Sequence, residues 1–325
     1  MFQRFVSIAA VSFIETARQS IFGVLLIVTA LMMILNVSLA AFTLEDDDKL
    51  LLDLGLSTLL LSGLFLASFS ATGVLSREIE NKTLLTIVAK PVSRPLFLLG
   101  KFVGLSAALF LAHFLSLVVF ILAQRHGVLQ NTRDPWDMPV LVFGFGAVFL
   151  ALVLAAFCNY LYNKDFVLSA LVLVTPMLTV AVLAVGVFDE EWKVIRFGEN
   201  YVGGQVIIAA FFVLLVNFVL AAVATAASTR CGQLMTLMIC VCFLGLALTS
   251  DYAFGQRIDE SALASAAYHV MPNIGPLWII DGLTSESAQT VVPWRYVGYA
   301  TGYALLWVVG ALSVGVALFQ RREVG

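Results

Sequence analysis

The chain has 325 residues, of which 61% are hydrophobic and only 12% charged, and its mean hydropathy is +1.00. A soluble domain carries about 25% charged residues, so the composition excludes a soluble enzyme and implies an integral membrane protein. The net charge of -3 leaves no basic footprint for nucleic acid.

In chain order, the first twenty residues carry Arg4, Glu15 and Arg18 among Phe2, Phe5, Ile8, Val11 and Ile14. That pattern predicts a retained amphipathic helix over residues 1–20, lying along the inner leaflet, rather than a cleaved leader. Spans of about 20 apolar residues are then expected at 21–42, 50–75, 96–123, 139–160, 167–188, 205–227, 234–252 and 294–319. Eight spans put both ends of the chain on one side. With that side inside, eleven Lys and Arg and five Asp and Glu fall inside, against seven and sixteen outside. The resulting +6 and -9 follow the positive-inside rule and predict cytoplasmic termini. The expected architecture is an all-α polytopic membrane protein, with residues 1–325 forming a single transmembrane domain.

The most polar patterned stretch is SREIENKTLLTIVAKPVSRPLFLLGK, Ser76 to Lys101. Ser76 suits a helix N-cap, Glu78 and Glu80 the first turn, and Lys90 the last turn before Pro91. A short amphipathic helix between two spans is therefore expected, within a cytoplasmic loop at 76–95. Read on residue chemistry alone, it is either a basic inner loop or a docking element. Lys101, one turn into the next helix, is placed to snorkel back to the inner surface.

Residues 251–293, broken by Pro272, Pro276 and Pro293, predict an extracytoplasmic loop with a short helix or re-entrant piece. Cys158, Cys231, Cys240 and Cys242 read as inert membrane thiols, and the last two, two residues apart on a helix, point to different faces. Asn36, His113, Asn159 and Asn217 are the polar residues expected well inside spans. His113 is either a functional group or a hydrogen-bonding partner for a neighbouring helix. The spacings Gly100 to Gly104 and Gly298 to Gly302 permit close helix packing, within the chain or between copies. Pro176 is a candidate kink.

No nucleotide-binding loop is present: Gly100-Lys101 is followed by Phe102, and Pro95 stands where the motif requires glycine. His113, His126 and His269 are scattered and form no zinc-protease pattern.

The run Arg77-Glu78, Glu80, Thr83-Leu84, Pro91, Ser93-Arg94, Leu99-Gly100-Lys101 resembles the loop after the second span in permease subunits of type-2 ABC exporters. SFIETARQSIFGVLL near the start, with Phe13, Glu15 and Arg18, and the ending LFQRREVG are similar to the same family. The resemblance implies that this loop is a coupling helix docking on a separate ATPase, with Arg77, Glu78, Glu80, Lys82, Thr83 and Arg94 in the coupling role. It further implies an inner-membrane exporter made of two permeases, expected as a homodimer, and two ATP-binding cassette subunits. ATP and Mg would then reside on the ATPase, and this chain would carry no cofactor and no catalytic residue, with membrane lipid as its surroundings. Typical members have six spans, and an added hairpin at 139–188 would preserve orientation here. Two other readings are a non-transporting anchor or regulatory subunit and an ion-coupled secondary transporter, the latter expected to carry charges near the midplane.

Overall fold

A computed structural model describes residues 2–41, 47–80, 93–129, 135–201, 203–257, 265, 268, 272–279 and 291–321, with backbone only for 75–80. Nine α-helices are found among them: α1 (Phe2–Ala17), α2 (Ser20–Ala40), α3 (Asp47–Glu80), α4 (Arg94–His126), α5 (Met138–Tyr162), α6 (Phe166–Val185), α7 (Gly204–Ser228), α8 (Gln233–Ala253) and α9 (Trp294–Gln320). The eight from α2 to α9 are long and apolar enough to cross a bilayer. They fall on the eight spans expected from hydropathy, with ends displaced by a few residues. The protein is an all-α polytopic membrane protein.

Local chemistry explains several boundaries. Asp137 caps α5, accepting a hydrogen bond from the Val140 amide at 3.2 Å, with Pro139 in the first turn. Asp165 caps α6 in the same way through the Leu168 amide at 3.0 Å. Between them, Asn163 ends α5 in the left-handed conformation, φ 52° and ψ 34°, which asparagine tolerates better than most residues. The candidate added hairpin is thus two helices joined by a three-residue turn, Asn163–Asp165. Pro176 lies inside α6, which continues through it to Val185.

The chain forms two compact units. One comprises residues 1–16, 63–109 and 208–325, and the other 17–62 and 110–207. In the first, α1 packs on the start of α4 at glycines. A Cβ at Gly104 would lie 2.3 Å from the Ala9 carbonyl oxygen and 2.5 Å from Ser12 Cβ, and one at Gly100 would lie 2.7 Å from Ile8 Cγ2. Gly100 to Gly104 is therefore an internal seam. Ile8 points at α4 rather than at lipid, and the exposed apolar side chains of α1 are Phe2, Val6, Val11 and Ile14. Gly298 and Gly302 have no atom near a built Cβ.

In the second unit, Gly55 of α3 accommodates the Phe120 ring, and Asn36 Nδ2 of α2 donates to Thr58 Oγ1 of α3 at 3.0 Å. Asn217 of the first unit fills space opposite Gly63. Asn159 is not a mid-span group: one turn before the end of α5, its Nδ2 donates to the Lys164 carbonyl at 2.6 Å. Cys240 is buried and Cys242 exposed, on different faces of α8 as expected. All four cysteines are free thiols.

Of the 251–293 region, short 3₁₀ turns at Gly255–Arg257 and Gly275–Leu277 are described. Asp251 organises this end of the first unit by accepting from Tyr268 Oη at 2.8 Å and from Asn273 Nδ2 at 2.7 Å.

Candidate functional site

Several charges of the first unit gather where α1 ends, α4 begins and α9 ends. Lys101 Nζ donates to Glu15 Oε2 at 2.8 Å and lies 5.6 Å from the centre of the Phe97 ring. The expected snorkelling of Lys101 does not occur: its side chain is 5% exposed and its charge is met by Glu15 of α1. Ser12 Oγ donates to the Lys101 carbonyl at 3.1 Å, a second polar tie between the same helices.

Arg94, the first residue of α4, spends its guanidinium on the C-terminus of α9. Its Nη1 donates to the Gln320 carbonyl at 2.8 Å and to that of Phe319 at 3.4 Å. Arg230, in the turn between α7 and α8, donates from Nη2 and Nε to the Leu318 carbonyl at 2.9 and 3.2 Å. The last carbonyls of a helix have no partner within it and carry partial negative charge, so two guanidinium groups satisfy them chemically and electrostatically. In the sequence Arg230 registers only as one more inner charge. Its partner is a backbone carbonyl 88 residues away, which leaves no local signal.

Of the other residues expected in the coupling role, Arg77, Glu78 and Glu80 lie on the last turns of α3. The expected N-cap at Ser76 is corrected, because α3 runs unbroken from Asp47 through Ser76 to Glu80. The reason is compositional: Val74-Leu75-Ser76-Arg77-Glu78-Ile79-Glu80 holds no glycine or proline to stop a helix already under way. Lys82 and Thr83, like Lys90 and Pro91, lie outside the described residues.

The second unit has a polar cluster at each end. At one, Arg18 Nε meets Asp165 Oδ2 at 3.5 Å. At the other, Arg125 Nη1 meets Asp137 Oδ2 at 3.1 Å with side chains only 4% and 1% exposed, and Arg125 Nη2 donates to the Phe188 carbonyl at 3.1 Å. Nearby, the Tyr201 hydroxyl donates to the Val182 carbonyl. Burial pushes its pKa up to about 12, with Arg125 pulling it down and Asp137 pushing it up. Aromatic rings of Phe143, Phe188 and Trp192 cover this end.

These contacts are those of a helical membrane scaffold with polar ends. His113, in the middle of α4, is buried. Among the described residues no group of three or more His, Cys, Asp or Glu side chains is placed to hold a metal ion. Lys101 and Arg125 meet their carboxylate partners near the two ends of α4, seven residues after its first residue and one before its last.

Compared with known families, residues 13–181 match the family described as ABC-2 family transporter protein. The matched stretch runs from the last turns of α1 to α6 and contains the whole of 76–101. No curated protein matches the chain.

Proposed function

Since the chain belongs to the ABC-2 family of transporter proteins, we propose that it is the permease of an exporter powered by ATPase subunits on separate chains. The family match across residues 13–181, with the charged stretch 76–101 inside it, carries this reading. Two permeases, arranged as a homodimer, and two ATP-binding cassette subunits make up the assembly. It resides in the inner membrane with both termini in the cytoplasm, as the +6 and -9 charge division favours.

In this reading Arg77, Glu78 and Glu80 at the end of α3, followed by Lys82 and Thr83, form the surface on which the ATPase acts. A helix end outside the bilayer can be moved by a soluble partner only through oriented polar contacts, and charges of both signs define that orientation. Arg94 supports the segment from its other end. ATP and Mg are bound by the partner. Export follows when closure of the ATPases shifts the spans and changes which side of the membrane a central path faces. An ion-coupled carrier is less well supported, because Lys101 and Arg125 sit near helix ends in pairs, away from the bilayer centre.

The test is copurification of the chain with an ATPase from its native membrane. Glu78→Arg with Glu80→Arg should lower assembly or permease-dependent ATP turnover while the permease itself stays folded. Unchanged assembly and turnover in the double variant would overturn the coupling role.

A further inference from the structure

The segment assigned to ATPase contact is bonded covalently to α3 and α4, so any push on it reaches those two helices directly. A third helix is tied to it only through space. Arg94 follows the segment immediately, and its Nη1 holds the Gln320 and Phe319 carbonyls at 2.8 and 3.4 Å, 226 and 225 residues away in the chain. One turn further along α4, the buried Phe97 ring stacks on Phe319 with centroids 6.1 Å apart. The next residue, Leu98, meets α9 at Gly315, where a built Cβ would lie 3.3 Å from Leu98 Cδ2 and 3.0 Å from Ala226 Cα of α7.

The end of α9 is therefore gripped completely. The Ala317 carbonyl accepts from the Arg321 amide, Leu318 from Arg230, and Phe319 and Gln320 from Arg94. A helix terminus ordinarily leaves its last four carbonyls to water or to a cap. Here side chains from two other points of the first unit take three of them. A planar guanidinium holding two successive carbonyls constrains direction as well as distance, and the packed Phe97, Leu98 and Gly315 contacts resist sliding.

We propose that Arg94 is a positioning residue that delivers displacement of the 76–93 segment to α9, making the last span a driven element of the transport cycle alongside α3 and α4. The proposal rests on the coupling role assigned above. Arg230 has a different part: it anchors the same helix end to the α7–α8 turn and does not adjoin the coupling segment in the chain.

The experiment uses the permease with its ATPase in lipid nanodiscs, in a background with the four cysteines replaced by serine. A spin label is placed at Lys82 or at Gln320, and spectra are recorded before and after trapping with ATP and vanadate. In the parent both labels should change on trapping. Arg94→Gln should abolish most of the change at Gln320 while leaving that at Lys82, Arg94→Lys should recover part of it, and Arg230→Gln should retain it. If Arg94→Gln fails to assemble, Phe319→Leu, which removes the ring stack but keeps apolar bulk, should also weaken the Gln320 response. An undiminished Gln320 response in Arg94→Gln or Phe319→Leu, or a parent in which Lys82 responds and Gln320 does not, overturns the proposal. A parent in which Lys82 ignores ATP removes the coupling role itself, and the proposal falls with it.

Discussion

Lys101 Nζ lies 2.8 Å from Glu15 Oε2, yet the lysine side chain is 5% exposed and the glutamate 42%. The pair joins α1 to α4 at the edge of the first unit, with one charge enclosed by protein and the other partly outside it. Loss of either partner should therefore not be equivalent. Glu15→Gln leaves an ammonium buried without its carboxylate and should cost about 1–3 kcal/mol. Lys101→Met leaves a carboxylate that water can reach and should cost less than about 1 kcal/mol. Thermal unfolding of the purified chain in detergent would decide the matter, and equal losses would contradict the asymmetry.

The glycine seam between α1 and α4 makes a second prediction. Gly104→Ala forces a methyl group against the Ala9 carbonyl oxygen at 2.3 Å, and that oxygen belongs to backbone. A loss of about 1–3 kcal/mol is expected, because an overfilled contact must move the helix. Gly298→Ala and Gly302→Ala, with open space around the built Cβ, should be stable or slightly improved. Comparable destabilisation at all three positions would refute the assignment of the seam to Gly100 and Gly104.

Arg125 and Asp137 provide a stricter case, since both side chains are almost wholly buried. Arg125→Met should destabilise by about 3–5 kcal/mol because it strands the Asp137 carboxylate. Adding Asp137→Ser, which keeps a cap for α5 while removing the charge, should restore part of that loss. A double variant no better than the single one would mean that the cost comes from packing rather than from the stranded charge.

Tyr201 should report on the same end of the second unit. Its pKa is raised from 10.0 to about 12 chiefly by burial, so the folded state holds the phenolic proton more tightly than the unfolded state. The associated stability is fully present below pH 10 and is lost as pH rises toward 12. Phenolate absorbance of the parent and of Tyr201→Phe should coincide near pH 10 and separate only close to pH 12. A difference that develops fully around pH 10 would place Tyr201 in water.

Sidedness can be tested on sealed cells. A membrane-impermeant thiol reagent should label single cysteines placed at Asp47 or Glu190 and should miss those at Lys82 or Arg322. The reverse pattern would invert the orientation drawn from the +6 and -9 division.

The eight spans were legible because each is a long apolar run, a one-dimensional signal that survives without knowledge of neighbours. What the residues did not disclose was pairing across the chain. Lys101 lies 86 residues from Glu15, and Arg94 lies 225 from Phe319. A cation near a span end looks the same whether it reaches for water, a carboxylate or a helix terminus. Ser76 misled for the opposite reason: a serine followed by acidic residues has the chemistry of an N-cap, but α3 arrives already formed and passes through it. Gly100 and Gly104 have the spacing of packing glycines, and only the approach of Ala9 and Ser12 shows which helix they pack against.

Asn163, whose left-handed backbone closes the turn between α5 and α6, limits how the protein can move. From Tyr162 to Phe166 the chain could stretch no further than roughly 15 Å, and within the turn Asp165 is held by its cap on α6 and its contact with Arg18. The facing ends of α5 and α6 are in effect hinged shut. Whatever rearrangement the transport cycle demands, these two spans must swing as one paddle there and can splay only from the opposite rim.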